Sequence, residues 1–286
     1  MPCPVFSDPA VAAYRWPGHP EAPERVVKSR ERLLAAGHAV GLPPTPAEEK
    51  DVLLLHTPRH AASVKTGDYE DPDTPHQPGM DKIALISLSG ALCAADSAAA
   101  GTPAFSLMRP PGHHAGRERV AGFCYFNNLA LACERLLKKG AARRIAILDI
   151  DVHHGDGTQA LLQGREGIHF TSLHQAPLYP GTGLESKDNC FNYPLPPLTG
   201  ETAYLKTFET ALGKALDFKP EILAISAGFD TYKECAIAQL KLEKKTYRRL
   251  GGMLAETNLP RFAVLEGGYT DAMPLLIENF LEGFFA

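Results

Sequence analysis

The sequence predicts an α/β protein in which a parallel sheet is covered by helices on both faces. Short apolar, β-branched runs alternate along the whole chain with longer segments of helical periodicity. The run from Ile145 to Leu148 is continuously hydrophobic, as expected for a strand buried on both faces. With 286 residues, 44% of them hydrophobic, and no internal repeat or linker, we expect a single domain over residues 1–286.

The elements can be placed in order along the chain. A central strand begins at Ile145, and the other strand-length runs cover residues 5–6, 52–55, 104–107, 167–173, 221–226 and 261–265. The first helix opens near Glu24 and stops at Gly37, and a later one carries Leu129 and Leu137. Further helices are expected over residues 58–64, 83–101, 202–216, 240–257 and 273–284. Residues 67–79 form an acidic, proline-rich surface loop.

Charge and cysteine content exclude several classes of protein. The net charge of −4 and the isoelectric point near 6.3 argue against direct nucleic-acid binding. The six cysteines form no C-x-x-C pair, and the N-terminus lacks the order of a signal peptide, so we expect a reducing, cytoplasmic location. The apolar helix over residues 83–101 suits the interior of a domain better than a membrane. The oligomeric state is left open.

The central strand ends in residues that bind metals and transfer protons. The sequence after Leu148 reads Asp-Ile-Asp-Val-His-His-Gly-Asp-Gly-Thr. Because side chains alternate along a strand, Asp149, Asp151 and His153 should lie on one side of its C-terminal end. The carboxyl ends of parallel strands are where ligands bind in open α/β sheets. We therefore expect a site at this end of the sheet.

Three other strands also end in polar side chains, namely His113-His114, Asp230 and Tyr269. Each alone could be a helix cap or an ordinary loop residue. Parallel topology brings all four strand ends to the same edge of the sheet. Together they predict a metallohydrolase.

Five motifs in order resemble one known family. They are Arg-Pro-Pro-Gly-His-His-Ala from Arg109, Gly-Phe-Cys-Tyr-Phe-Asn-Asn from Gly122, Asp-x-Asp-x-His-His-Gly-Asp-Gly-Thr from Asp149, Ala-Gly-Phe-Asp ending at Asp230, and Glu-Gly-Gly-Tyr ending at Tyr269. The chain resembles the zinc-dependent histone deacetylase superfamily, including bacterial histone deacetylase-like amidohydrolases and acetylpolyamine amidohydrolases, over residues 19–269. This resemblance implies the arginase/deacetylase fold, a single domain with an eight-stranded parallel sheet.

The same resemblance implies roles for the site residues. It assigns Zn²⁺ to Asp151, His153 and Asp230, although such a ligand set also accepts Fe²⁺. His114 would be the general base and His113 its electrostatic support. Asp149 would back His113 and Asp156 would back His114, fixing the tautomers and raising both imidazole pKa values. Tyr269 would donate its hydroxyl to the substrate carbonyl and to the oxyanion.

Further positions follow from the family pattern. The walls of the acyl-lysine channel match Gly122, Phe123, Tyr179, Ile237 and Gly268. Arg25 matches an arginine in the cavity through which acetate would leave. A structural K⁺ would be held by Asp149, Asp151, His153, Ser172 and Leu173.

The substrate is less well defined than the chemistry. The chain has Ile237 at a rim position where a glutamate would attract the second ammonium of a polyamine. Asp68, Asp71 or Asp73 could grip a peptide backbone, but a solvated acidic loop is the favoured interpretation. We therefore predict removal of acetyl or other short acyl groups from lysine side chains of proteins or peptides. The alternative is hydrolysis of an acetylpolyamine or another small acylated amine. A silent acyl-lysine binding protein and a two-manganese, arginase-like enzyme are disfavoured, because the metal ligands, the two histidines and the tyrosine are all present.

Overall fold

Strands and helices alternate along the chain in the computed structural model, which describes residues 3–286. Met1 and Pro2 of the expected domain lie outside these residues. Within the described part, the strands are β1 Pro4–Phe6, β2 Ala39–Gly41, β3 Ala104–Ser106, β4 Ile145–Asp149, β5 Ile168–Gln175, β6 Cys190–Leu195, β7 Ile222–Ala227 and β8 Arg261–Leu265. The α-helices there are α1 Glu24–Ala35, α2 Glu49–Val52, α3 Pro58–Thr66, α4 Met80–Ala99, α5 Asn128–Lys138, α6 Asp156–Leu162, α7 Glu201–Asp217, α8 Lys244–Ala255 and α9 Met273–Phe284.

The strands form one parallel sheet, as the sequence predicts. Among residues 3–286 it has eight strands in the order β2-β1-β3-β8-β7-β4-β5-β6. Asp149 at the end of β4 pairs with Ser172 on β5 and with Ser226 on β7. The loops after β3, β4, β7 and β8 therefore all leave the sheet at the carboxyl-terminal ends of its strands.

Alternating side chains of β4 enter two separate hydrophobic cores. Ile145 and Ile147 pack in the core that contains α4 and α5. Ala146 and Leu148 pack in the core that contains α7, α8 and α9. Both faces of the sheet are covered, which explains why β4 is hydrophobic from Ile145 to Leu148.

Two expectations about individual elements were wrong. Residues 52–55 are not a strand, because helix α2 ends at Val52 and a turn follows. The cause is a cap, in which the backbone N–H of Glu48 donates to Asp51 Oδ2 at 2.9 Å. The helix expected over residues 240–257 begins only at Lys244, because Lys241 and Leu242 make strand-like bridges with Gly200 and Tyr232.

The sequence also failed to indicate the two edge strands of the sheet, β2 and β6. Strand β2 has three residues, and β6 contains Pro194, which cannot donate to a ladder and is tolerated at an edge. Short or interrupted edge strands carry a weak sequence signal. They lie away from the polar strand ends.

Helix α4 is the one helix in the described residues that is long and apolar enough to cross a membrane by length and composition. Of its most apolar window, 67% is buried inside the protein, as in a core helix. It packs against α5, β3 and β8. This agrees with the expectation of a buried helix over residues 83–101.

Candidate active site

Asp151, His153 and Asp230 converge at the carboxyl-terminal end of the central strands. One potential ligand atom from each lies within 4.8 Å of the others, and all three residues are buried. His153 Nδ1 is 3.0 Å from Asp151 Oδ1 and 3.4 Å from Asp230 Oδ2. This is the group of residues to which the family resemblance assigns a metal.

Glycines allow the backbone to pass close to these carboxylates. A Cβ at position 267 would lie 2.1 Å from Asp230 Oδ2, and one at position 228 would lie 2.3 Å from Asp151 Oδ2. In place of side chains, the loop supplies a donor, because the N–H of Gly267 donates to Asp151 Oδ2 at 2.7 Å. No residue larger than glycine therefore fits at positions 228 and 267 without displacing these carboxylates.

The donor set fits a divalent cation. Two buried carboxylates face one imidazole, and Asp230 Oδ2 accepts no hydrogen bond from any described residue. Burial opposes a charge on His153, but the nearby carboxylates of Asp151 and Asp230 outweigh it and raise the pKa of the imidazole to about 9. The cluster thus attracts positive charge, and a divalent metal ion held by these three residues would neutralise the buried carboxylates.

His113 pairs with Asp149 behind the cluster. Its Nδ1–H donates to Asp149 Oδ2 at 3.0 Å, and its Nε2 lies 3.8 Å from Asp151 Oδ1. Burial disfavours the imidazolium, yet the charges of Asp151 and Asp149 hold the pKa of His113 well above its ordinary value. The expected pair and the expected direction of the pKa shift are both present.

His114 pairs with Asp156, but its pKa moves in the opposite direction to the one expected. Its Nδ1–H donates to Asp156 Oδ1 at 2.7 Å. Burial and the neighbouring charge of His113 lower the pKa to about 3, and Asp156 only partly offsets them. A neutral imidazole at neutral pH is the form that can accept a proton.

Glu266 is a residue of the site to which the sequence reasoning gave no role. Its Oε2 accepts hydrogen bonds from the backbone N–H groups of Gly112 and His113 at 2.7 and 3.1 Å. Its Oε1 accepts one from Ser226 at 3.2 Å. Burial raises the pKa of Glu266 to about 7. The carboxylate connects the loop that carries His113 and His114 to the loop after β8. The position of Glu266 in the Glu-Gly-Gly-Tyr motif was the sequence feature that could have indicated this role.

Tyr269 stands beside the cluster, with Arg25 behind it. The guanidinium of Arg25 is 4.9 Å from the centre of the tyrosine ring, and its Nε donates to the carbonyl of Gly268 at 2.7 Å. Burial holds the pKa of Tyr269 well above its ordinary value, so the hydroxyl keeps its proton. Arg25 and Tyr269 also line a cavity of about 160 Å³, and its use by acetate remains a prediction.

A buried ion cluster supports Arg25, and sequence reasoning missed it. Glu21 pairs with Arg25 at 2.9 Å and with Arg109 at 2.6 Å, and it accepts a hydrogen bond from Tyr14 at 2.6 Å. Burial opposes the charge on Glu21, but Arg109 and Arg25 lower its pKa to about 2. Arg109 opens a motif that was recognised, but its partner Glu21 is distant in sequence.

The cluster opens into a pocket of about 340 Å³. Four of the expected channel residues line it, and two of these are at its outer end, since Tyr179 is 43% exposed and Ile237 is 37% exposed. The described lining residues are His19, Pro20, Asp73, His114, Gly122, Phe123, His153, Leu178, Tyr179, Ile237 and Tyr269. Gly268 is not among them, because its backbone turns toward Phe229 and Arg25. The placement of Gly268 in the channel is therefore corrected.

Three of the expected potassium ligands, Asp149, Ser172 and Leu173, lie on the neighbouring strands β4 and β5. Asp149 and Ser172 are paired residues of β4 and β5, and Leu173 follows Ser172. Ser172 Oγ is 2.9 Å from His174 Nδ1. Potassium binding there remains a prediction.

Comparison with known proteins identifies the family. The family described as "Histone deacetylase domain" matches residues 19–283. The chain belongs to the histone deacetylase family. A probable deacetylase of Archaeoglobus fulgidus is 38% identical over 93% of this chain and 80% of its own length. Acetylpolyamine amidohydrolase 1 of Pseudomonas aeruginosa is 37% identical over 75% of this chain and 65% of its own length.

The fold comparison agrees with this membership. A crystal structure of acetylpolyamine aminohydrolase from Burkholderia pseudomallei superposes with a TM-score of 0.89 at 25% identity and covers 99% of each chain. Membership of the histone deacetylase family supports an amide-hydrolysing enzyme of the deacetylase class.

Proposed function

We propose that this histone deacetylase family member is a zinc-dependent amidohydrolase that removes the acetyl group from a small acylated amine of the acetylpolyamine type. The observation that carries the hydrolytic part is the convergence of a metal-binding triad, two His-Asp pairs and a tyrosine at the base of one pocket. The names of the Pseudomonas and Burkholderia relatives support the amine part. These relatives favour the polyamine alternative over the lysine side chains that the sequence first suggests.

The triad of Asp151, His153 and Asp230 would hold the metal. When bound, Zn²⁺ or Fe²⁺ supplies positive charge that acidifies a water molecule and polarises the acyl carbonyl. Because two carboxylates already offset that charge, proton transfer by the protein becomes important. A structural K⁺ beside the triad is part of the same proposal.

His114 would accept the proton of the attacking water at Nε2, since its Nδ1 faces Asp156. The same nitrogen would then return the proton to the leaving amine. His113, which is hydrogen-bonded to Asp149, would give electrostatic support next to the base. Tyr269 would donate its hydroxyl to the oxyanion as the carbonyl carbon becomes tetrahedral. General acid–base help of this kind contributes a factor of about 10² to 10⁴ in rate.

The mouth of the pocket favours a cationic, slender substrate. Asp73 is exposed and lines the mouth, so its carboxylate can attract a distal ammonium. Ile237 lines the same mouth and offers only apolar contact. Asp71 was one candidate from the sequence for a contact with a peptide backbone. In the structure it accepts a hydrogen bond from the N–H of Gly122 in the channel wall instead.

The test is turnover of a substrate panel by metal-loaded wild type. The panel contains an N-acetylated diamine, a neutral N-acetyl alkylamine of equal length and an acetyl-lysine peptide. We expect the diamine to have the highest kcat/KM, with His114→Ala and Tyr269→Phe both nearly inactive. Preference for the peptide would return the function to lysine deacylation, and no turnover by metal-loaded protein would contradict both.

Asp73→Asn separates charge recognition from chemistry. Because exposed charge pairs are worth about 0.2–1 kcal/mol, the KM for the diamine should rise by roughly 1.4- to fivefold. The KM for the neutral amine should stay at its wild-type value. Equal changes for both substrates would contradict recognition of an ammonium by Asp73.

A cytoplasmic location is proposed as well. Within the described residues, the six cysteines are free, and five of them are buried. Unpaired cysteines are typical of reducing compartments.

A further inference from the structure

The acidic loop over residues 67–79 contacts the channel wall through two side chains. Asp71 Oδ2 accepts a hydrogen bond from the backbone N–H of Gly122 at 2.9 Å. Thr74 Oγ1 accepts one from the next N–H, that of Phe123, at 2.7 Å. The Thr74 hydroxyl donates to Asp71 Oδ2 at 2.9 Å, so the two acceptors are joined. Thr74 is only 1% exposed, which shields this contact from water.

The wall segment has a backbone conformation that needs such support. Gly122 and Phe123 have φ values of 54° and 71°. A side chain in the left-handed region costs about 1–2 kcal/mol, so Phe123 adopts it only where its surroundings enforce it. The two acceptors on the loop bind the N–H groups of Gly122 and of the strained Phe123.

The conformation matters because Phe123 forms part of the pocket. Its ring packs edge-on against His19 at 4.6 Å and against Tyr269 at 5.8 Å between ring centres. His19 is itself attached to the loop, since its Nε2 lies 3.1 Å from the carbonyl of Asp73. A Cβ at position 122 would lie 2.5 Å from the ring of His114, so only glycine fits beside this histidine.

We propose that Asp71 and Thr74 are positioning residues that fix Gly122 and Phe123 as a rigid wall of the channel. They thereby select substrates with narrow, unbranched alkyl chains. The substrate part of this inference rests on the proposed function. Neither residue takes part in the chemical step. We call the hydrogen bonds from Gly122 to Asp71 and from Phe123 to Thr74 the clamp. Loss of the clamp lets Phe123 leave the left-handed conformation, which widens the channel and weakens binding of the alkyl chain of the substrate.

The kinetic test compares Thr74→Val with Thr74→Ser. Valine has nearly the volume of threonine but lacks the hydroxyl, whereas serine keeps it. A hydrogen bond is worth about 0.5–1.5 kcal/mol, so Thr74→Val should raise the KM for an unbranched N-acetylated diamine by roughly two- to twelvefold. The kcat should stay near the wild-type value, and the preference over an N-acetyl amine branched next to the nitrogen should fall. Thr74→Ser should restore both KM and preference.

Hydrogen exchange tests the clamp without a substrate. The amides of Gly122 and Phe123 should exchange slowly in wild type, in Thr74→Ser and in the control Asp68→Asn, and faster in Thr74→Val. This result supports the clamp even if no amine in the panel is hydrolysed, an outcome that would count only against the proposed function. Unchanged exchange in Thr74→Val, or a loss of kcat without a change in KM, would overturn the inference.

Discussion

Arg119 and His114 bind opposite oxygens of one carboxylate, that of Asp156. His114 Nδ1 lies 2.7 Å from Asp156 Oδ1, and Arg119 pairs with Oδ2. Burial opposes the charge on Asp156, but His114 and Arg119 together lower the pKa of the carboxyl to about 2. Arg119 is half exposed. A surface cation therefore acts on the proposed base through a carboxylate.

Replacing Arg119 should make that base stronger. In Arg119→Met the negative charge of Asp156 is no longer shared, so the imidazolium form of His114 is favoured. The acidic limb of the kcat/KM profile should move to higher pH by about half a unit to one unit, as expected for a partly screened charge at this range. Arg117→Met, in the same loop, is the matched control. Identical profiles for Arg119→Met and wild type would show that Asp156 does not transmit the charge.

Removal of the metal should lower thermal stability. An ion that binds only the folded state at 100 times its Kd adds about 2.7 kcal/mol, or roughly 4–5 °C in Tm for a chain of this size. Chelation should remove this increment, and added Zn²⁺ should restore it. In Asp230→Asn the Zn²⁺-dependent shift should vanish, while the metal-free form should be no less stable, because a buried negative charge is gone. A full shift in Asp230→Asn, as in the exposed control Asp271→Asn, would place the metal elsewhere.

Loss of the Tyr269 hydroxyl should affect turnover and leave folding intact. Tyr269→Phe keeps the ring against Arg25 and Phe123 but removes the donor to the oxyanion. By comparison with other oxyanion donors, kcat should fall by about 10² to 10³. Circular dichroism and Tm should match wild type, and Tyr193→Phe on the edge strand β6 serves as the control. A variant that keeps a tenth or more of wild-type kcat would remove Tyr269 from the mechanism.

The positions of the site residues followed from sequence because period-two alternation and parallel topology leave little freedom. Once Asp149, Asp151 and His153 are placed at the end of a buried strand, the polar ends of neighbouring strands must meet them. The electrostatics could not be inferred in the same way. The pKa of His114 depends on how deeply the loops bury it, and Asp156 alone suggests the wrong sign.

Contacts between distant parts of the chain were also beyond the sequence. Glu21 and Arg109 are 88 residues apart and become partners only when the first loop folds over the strand end. Asp71 reads as a solvated acid in a polar loop, and its bond to Gly122 depends on a backbone turn that sequence periodicity does not describe. The prediction of a strand over residues 52–55 was wrong because a single capping contact favours helix α2 at this point.

His56 should make the free energy of unfolding depend on pH. The imidazole donates from Nδ1 to the carbonyl of Gly116 at 2.9 Å and accepts at Nε2 from the N–H of Asn127 at 3.0 Å, so it must be neutral in the folded state. Burial, aided by the neighbouring His60, lowers its pKa to about 3. An unfolded histidine titrates near 6.5. Between these values the unfolded state binds more protons than the folded state, and the free energy of unfolding falls as pH falls.

From pH 7 to pH 5 this single group should cost about 2 kcal/mol, at 1.36 kcal/mol per pH unit below 6.5. His56→Gln removes the titration, so its own loss of stability over this interval should be smaller than that of wild type by this amount, as measured by urea unfolding at both values. Val64→Ala is the control, because it removes buried apolar volume from α3 without a titratable group. It should destabilise the protein equally at pH 7 and pH 5. If His56→Gln behaves like Val64→Ala, His56 is not the group that links folding to protons in this range.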